Sequence, residues 1–308
     1  MEVYKMKKKL LCVMLALLML LSMSSVAYAI EGDMAAEVLY DFGLFNGMGT
    51  LPDGSPDFAL DQTPNRYQAV TMLVRLLGKE AEALNGEWET PFTDVVDWAK
   101  PYVGYAYNNG LAAGTSATTF GGDAAVTPAQ YITFALRALG YESGVDFQWD
   151  KSWELSEKIW MTDDEFNPKS KRFTRGDMAV ISFNTLVGHF KGEERSYLLQ
   201  QVCDKPLPED AVFTEADFYY FSEGAAPKGD LMGNEWGHGS PMNSRPYNFI
   251  INGCLVKEGY TVSTSDETLC DIYMMEDGRF EITALREGWA WVYVTYGDFT
   301  GGFRFMAN

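Results

Sequence analysis

The chain has 308 residues, room for roughly two ordinary domains, and carries 24 Lys+Arg against 43 Asp+Glu, a formal net charge of −19. So acidic a balance argues against nucleic acid and anionic lipid as electrostatic partners, because both require a positive field, and it cautions against a simple electrostatic grip on an anionic polymer. Four cysteines and two histidines exclude a disulfide framework and provide no paired-ligand metal spacing.

The N-terminus reads as a secretory signal peptide over residues 1–29. Lys5, Lys7, Lys8 and Lys9 form a basic stretch, residues 10–21 are apolar, and Ala27-Tyr28-Ala29 is a small-x-small cleavage site. The apolar run is too short for a comfortable bilayer span. Cys12 lies inside that run and not just after it, which argues against a lipoprotein box. Removing four lysines and one glutamate from the totals of 24 and 43 leaves 20 against 42, so the mature chain from Ile30 carries −22. No later segment is long and apolar enough to span a membrane, and residues 303–308 carry no sortase-like signal. A secreted chain with these features is expected to need a non-covalent anchor.

Beyond the leader, three stretches repeat. Asn65-Arg66-Tyr67-Gln68 opens a run closing at Leu77-Gly78, Thr127-Pro128-Ala129-Gln130 one closing at Leu139-Gly140, and Thr174-Arg175-Gly176-Asp177 one closing at Leu186-Val187-Gly188. Val70/Leu73/Val74/Leu77, Ile132/Ala135/Leu136/Leu139 and Ala179/Ser182/Phe183/Leu186 give each run one apolar helical face. Gly43 and Gly47 precede the first run as Gly110 and Gly114 precede the second, predicting helix, Gly-punctuated loop, helix in each unit. Units of this kind bury their apolar faces against one another and form one body.

The second unit is the most complete, with Phe92-Thr93-Asp94-Val95, Trp98-Ala99, Gly110, Gly114, Phe120 and Thr127, and with Arg75 and Arg137 each inside a Leu-Gly-terminated helix in units one and two. At these residues the chain resembles the S-layer homology (SLH) family over about residues 33–190. The resemblance implies three tandem repeats, over about 33–79, 92–141 and 147–190, in a pseudo-threefold helical bundle. It also implies non-covalent binding to secondary cell-wall polysaccharide, often a pyruvylated one, on peptidoglycan, with no cofactor.

Residues 193–202 are expected to form a short helix stopped by Pro206 and Pro208, and 193–209 to be a linker that includes Cys203. From residue 210 the apolar period shifts towards two, through Phe218, Tyr219, Tyr220 and Phe221, then Phe249-Ile250-Ile251, then the run from Trp289 to Thr295. This predicts an all-β sandwich or barrel. Ser265-Asp266, Asp277-Gly278, Ile282-Thr283-Ala284-Leu285, Glu287-Gly288 and Val292-Tyr293-Val294-Thr295 resemble the end of a bacterial Ig-like domain of group 2. That resemblance implies a spacer or adhesive module with an unknown protein or glycan partner. The fold class is thus α plus all-β multidomain: an SLH-like bundle at 30–192 followed by an Ig-like β-sandwich at 210–308. Cys254 and Cys270 fall in neighbouring strand-like segments, and two readings stand: a disulfide, or two small buried hydrophobes.

The resemblance places the binding work on the start of each second helix. Its arginine carries over to Arg66 and Arg175, and Pro128 replaces it in the second unit. A guanidinium fork matches a carboxylate, and helix N-terminal amides add partial positive charge. Ligand contact and a structural salt bridge stand as equal readings of both arginines. The motif's acid falls on Gln68, Gln130 and Asp177, where N3 capping is favoured over ligand contact. Asp94 reads as a helix cap near the groove before a ligand contact. Trp98 reads as a buried anchor before a sugar platform. Trp149, Trp153 and Trp160 crowd the third unit, where they are expected to fill core space.

No metalloprotease, P-loop or nucleophile-elbow motif is present. With 42 carboxylates in the mature chain, a glycosidase-like pair is expected by chance and decides nothing. Trp236-Gly237-His238-Gly239 reads as a solvated loop tip before a ligand site. The expectation is a non-catalytic, wall-anchored surface protein. The alternatives are a wall-associated polysaccharide-active enzyme and an SLH-fold protein-interaction scaffold that has lost wall binding.

Overall fold

A computed structural model describes residues 32–167, 172–193, 198–222, 238–239 and 245–307. The expected signal peptide lies outside these residues, as do Trp236 and Gly237 of the Trp-Gly-His-Gly loop. The fold is mixed, a helical body followed by antiparallel sheets.

The helical body starts with α1 (Gly32–Asp41), a small hairpin of β1 (Gly49–Thr50) and β2 (Pro56–Asp57), then α2 (Arg66–Leu76) and α3 (Glu80–Asn85). It continues with α4 (Lys100–Asn108), α5 (Pro128–Ala138), α6 (Ser152–Lys158) and α7 (Arg175–Leu186). The three long helices α2, α5 and α7 each start with a closed capping box: Asn65 with Gln68, Thr127 with Gln130 and Thr174 with Asp177. Capping therefore accounts for the chemistry of Gln68, Gln130 and Asp177, as their spacing predicts.

These three helices touch one another at the centre, where Tyr131 Oη and Ser182 Oγ hydrogen-bond at 2.5 Å. Each also packs against the first helix of the next unit: α2 on α4, α5 on α6, and α7 back on α1. The last contact is close, since a Cβ at Gly32 would lie 3.0 Å from Gly176 Cα. The three units thus close into a ring, and their apolar stripes merge into one core that includes Leu39, Phe45, Leu73, Leu136, Phe183 and Leu186.

Gly43 and Gly110 end the first helices of units one and two in the left-handed region, at φ 72° and 69°. In the third unit the same place is held by Trp160, at φ 62° and 66% exposed, although the left-handed region disfavours an L side chain by about 1–2 kcal/mol. Trp160→Gly is therefore expected to stabilise the chain by about 1 kcal/mol, a rise of roughly 2–4 °C in midpoint measurable by thermal unfolding. An unchanged or lowered midpoint would mean that Trp160 makes compensating contacts. The expectation that the tryptophans of this unit fill the core is corrected for two of the three. Trp149 and Trp160 are exposed, and only Trp153 packs against the core. The shorter first helix of this unit, with seven residues in α6 against nine in α4, leaves them at its rims.

The segment read as a linker holds α8 (Leu198–Cys203), whose Leu198, Leu199 and Cys203 are buried in the helical core. The β body then follows as β3 (Phe218–Ser222), β4 (His238–Gly239), β5 (Arg245–Ile251), β6 (Cys254–Leu255), β7 (Tyr260–Thr264), β8 (Cys270–Met274), β9 (Phe280–Ala284), β10 (Gly288–Tyr296) and β11 (Phe299–Ala307). One sheet runs β3-β5-β9-β8 with β6 on β5, and the other runs β4-β11-β10-β7. All pairings are antiparallel except β4 with β11. Alternate residues of both sheets, among them Phe249, Phe280, Ile282, Val292, Val294, Phe303 and Phe305, close a second core.

The two bodies join through contacts that no local sequence pattern announces. Phe221 and Ile250 belong to the helical core, and Phe42, just past α1, packs edge-on against Tyr219 with ring centroids 5.2 Å apart. Tyr219 Oη donates to Asp41, and Lys257 pairs with Asp204 at 2.6 Å. All three described cysteines are free thiols. Cys254 Sγ donates weakly to Asn252 O, and Cys270 Sγ contacts Thr264 Oγ1.

Candidate functional site

The ring closes by having the start of one unit's second helix reach into the loop of the next. In α2, the Arg66 and Tyr67 amides donate to Ala124 O and Gly122 O, both at 3.0 Å. In α7, the Arg175 and Gly176 amides donate to Gln62 O and Leu60 O at 2.8 and 2.9 Å, the same bonds one unit round the ring. These helix-start amides, expected to favour an anion, are thus taken by neighbouring carbonyls.

The arginine side chains repeat the pattern. Arg66 is 6% exposed and donates from Nε to Phe120 O (3.1 Å) and from Nη2 to Ala113 O (2.6 Å). Arg175 is 4% exposed and donates from Nε to Phe58 O (2.9 Å) and from Nη2 to Asn46 O (3.2 Å). Arg66 Cζ also stacks 4.9 Å from the Phe120 ring and 5.1 Å from Phe134, and Arg175 Cζ 4.9 Å from Phe45. Neither arginine makes an ion pair among the described residues, so the salt-bridge reading is corrected. Each staples two units through backbone carbonyls, which supply partial negative charge without a carboxylate.

Beside each staple lies a groove. The first, about 260 Å³, is lined by Arg175, Gln68, Thr71, Met72, Arg75 and Trp98 among others. The second, about 410 Å³, is lined by Arg66, Gln130, Thr133, Phe134, Arg137 and Trp149 among others. Gln68, Thr71, Met72 and Arg75 of α2 correspond in helix position to Gln130, Thr133, Phe134 and Arg137 of α5, so the two grooves are built alike. Each brings together two guanidiniums from different units, Arg175 with Arg75 and Arg66 with Arg137.

Their electrostatics differ. Arg75 is paired with Glu80 at 2.8 Å, and Glu80 also accepts from Tyr102 Oη at 2.6 Å. Arg137 donates only to Leu111 O at 3.3 Å and has no ion pair among the described residues. Burial, and then Arg137, pull the Arg66 guanidinium down to about 10, still charged at neutral pH, and burial also lowers Arg137. Burial and then Arg75 lower Arg175. The second groove thus holds two desolvated cations and no lining carboxylate.

The third junction lacks both groups. Pro128 supplies neither a side-chain donor nor an amide, which an N1 position tolerates, and Asn184 stands where α2 and α5 have Arg75 and Arg137. Asn184 Nδ2 donates to Met161 O at 2.9 Å, the equivalent of the Arg137 bond to Leu111, without a charge. The two losses coincide at one junction, a signal present in the sequence that motif reading by single repeats does not use.

Trp98 and Asp94 depart from expectation. Trp98 is 56% exposed at the mouth of the first groove, edge-on to Tyr67 at 5.7 Å. It sits in a 3-10 turn, Asp97–Ala99, in which Ala99 is the residue turned inward. Trp149, 55% exposed, occupies the mouth of the second groove. Asp94 caps no helix. Its two oxygens accept from the Phe120 and Gly121 amides, both at 2.7 Å, and its carbonyl accepts from Tyr67 Oη at 2.6 Å. Burial pushes the Asp94 carboxyl up, but the Phe120 and Gly121 amides outweigh it and hold the group below its ordinary value. The tie is therefore complete above the ordinary aspartate range, near 4, and is lost as pH falls through the lowered folded value. The Phe120 and Gly121 amide shifts should titrate below that range, and a midpoint above it would contradict the assignment.

Two stapled grooves between helical units, each with two guanidiniums, define a repeat module. The chain matches the S-layer homology domain over residues 91–132, which contain Asp94, Trp98, the Gly110–Gly114 loop and Gln130. It is similar to a surface layer protein of Brevibacillus choshinensis, 35% identical over 101 residues, covering 32% of this chain and 9% of the relative. A cell surface protein of Thermoanaerobacter kivui is 36% identical over 115 residues, covering 36% and 14%. An endoglucanase of Bacillus sp. (strain KSM-635) is 31% identical over 130 residues, covering 37% and 14%. The chain thus spans only 9–14% of the length of these relatives, and it carries an S-layer homology domain. No described helix is long and apolar enough to cross a membrane.

Proposed function

We propose that this chain is a non-catalytic cell-surface protein, held to the wall by its SLH repeats through an acidic secondary cell-wall polysaccharide. The observation that carries the reading is the second groove, where Arg66 and Arg137 converge without a carboxylate beside exposed Trp149. A planar guanidinium suits a sugar carboxylate such as a pyruvate ketal. The exposed indole offers a face on which a pyranose ring stacks. The net charge of −19 does not prevent this, because charges beyond about 8 Å are screened at physiological salt. The first groove, with Arg75 already neutralised by Glu80, takes a less charged stretch of the same polymer over Trp98. Gln68 and Asp177 serve as caps, and Asp94 holds the loop that Arg66 grips. The ring of three units is the pseudo-threefold SLH bundle, and the two-sheet body is an Ig-like sandwich displayed by the anchor. The similarity to the endoglucanase covers 14% of that enzyme, so most of the enzyme lies outside it, and a shared anchor accounts for the match.

The competing reading is a repeat scaffold that has lost wall binding. Its support is that Arg66 and Arg175 spend two donors each on backbone carbonyls. Co-sedimentation of the full chain with Gram-positive sacculi, before and after extraction of the secondary polymer, separates the two. Binding that disappears with the polymer supports the anchor. A folded chain that stays in solution with every sacculus supports the scaffold.

A further inference from the structure

The β body carries a second surface whose chemistry nothing above uses. Strand β10 turns Ala290, Val292 and Val294 inward and leaves Trp289, Trp291 and Tyr293 on the outer face of its sheet. The solvated face of an antiparallel sheet is ordinarily polar, yet here three aromatic rings follow one another at about 7 Å intervals along the strand. Trp289 is 53% and Tyr293 38% exposed.

The neighbouring strands rim this row with hydroxyls. Tyr293 stands opposite Gly302 on β11 and Ser263 on β7, and Thr295 opposite Thr300 and Thr261. A Cβ at Gly302 would lie 3.2 Å from the Tyr293 ring, so this glycine lets the ring rest across the strand. Arg304, opposite Trp291, places Cζ 4.7 Å from the Trp289 ring, and its Nε is buried without a hydrogen-bond partner among the described residues. The outward positions of β7, β10 and β11 within these pairings contain no carboxylate, and Arg304 is the one charged residue among them.

We infer that this aromatic shelf is a second glycan-binding site, taking a polysaccharide that carries carboxylates, with Trp289, Trp291 and Tyr293 stacking sugar rings and Arg304 receiving the acid. The exposed part of the three rings amounts to roughly 300 Å² given the 150–250 Å² that an aromatic side chain buries. That is well below the 800 Å² or so per partner of a stable protein interface, but it suits a narrow chain. Hydroxyl-bearing neighbours match sugar hydroxyls, and the isolated guanidinium complements an acidic group.

The test is affinity electrophoresis of the full chain in gels containing sodium polygalacturonate or its carboxyl-reduced product. Trp289→Ala/Tyr293→Ala and Arg304→Ala are compared with their parent in wild-type and Arg137→Ala backgrounds, with folding checked by circular dichroism. The expected result is retardation by polygalacturonate in both backgrounds, weakened at least ten-fold by the double substitution. Carboxyl reduction and Arg304→Ala should each weaken it several-fold in the Arg137→Ala background. Because the comparison is repeated in the Arg137→Ala background, where the second groove has lost one of its two guanidiniums, failure of the wall-anchor reading leaves this result unchanged. Equal retardation of the folded double variant and its parent would overturn the shelf, and equal retardation by the reduced polymer would overturn the acidic ligand. No retardation of the parent, together with a dimer in sedimentation velocity that the double variant loses, would assign the face to a second copy of the chain and overturn the proposal.

Discussion

Arg137→Ala is expected to weaken retention on sacculi at least ten-fold while leaving the unfolding midpoint nearly unchanged. Arg137 makes one long bond, to Leu111 O at 3.3 Å, so its removal leaves no short hydrogen bond unmade. Its absence halves the charge of the second groove where the polymer's acid would sit, and a charge-assisted hydrogen bond to such a group is worth about 1.5–3 kcal/mol. Arg66→Ala is a poorer probe, although the motif points to it. It strips the Phe120 and Ala113 carbonyls of their donor and opens a gap between two aromatic rings, at about 2–4 kcal/mol of stability. Arg75→Ala supplies the contrast: Arg75 is already engaged by Glu80 while Arg175 stays in the first groove, so the loss of binding should be smaller than for Arg137→Ala. Retention assays and urea unfolding on the three variants distinguish these effects. Equal loss of binding for Arg75→Ala and Arg137→Ala, with both folded, would contradict the asymmetry of the grooves.

Gly253→Val should detach the β body from the helical one. Gly253 lies at φ 68°, and a Cβ there would stand 2.7 Å from the Phe42 Cα. The left-handed backbone contributes about 1–2 kcal/mol of penalty and overpacking about 1–3 kcal/mol more. The loss falls on the junction where Phe42 meets Tyr219 and Phe221 enters the helical core. A single calorimetric transition in the wild type should split into two, and the connection around Pro206 and Pro208 should become a site of proteolysis. One unsplit transition, merely lowered, would mean that the two bodies fold as one through α8 alone.

The three repeats were legible because their signals are local. A capping residue three positions before Gln or Asp, and a glycine four to five residues past a helical stripe, each act within one turn of backbone, and each element formed where that chemistry placed it. The site was less legible because its bonds run between units. Nothing near Arg66 announces that its partners are the carbonyls of Ala113 and Phe120, 47 and 54 residues away. For the same reason Asp94 read as a cap when it holds Phe120 and Gly121, and Trp98 read as buried when a short 3-10 turn turns Ala99 inward in its place. Arg75 and Arg137 were visible as part of a motif, but their role as second cations depends on which loop the next unit brings across. Residues 193–202 read as a short helix within a connector, and six helical residues carry too little periodicity to reveal that Leu198, Leu199 and Cys203 complete the core.

The wall-anchor claim rests on recognition of a polymer carboxylate by the Arg66–Arg137 groove. Isothermal titration of the full chain with polymer released from sacculi, native and carboxyl-reduced, tests this most directly. The account predicts binding of the native polymer, at least ten-fold weaker binding of the reduced polymer, and no difference between the two for Arg137→Ala carrying Trp289→Ala/Tyr293→Ala. Equal affinity of the wild-type chain for native and reduced polymer would contradict it.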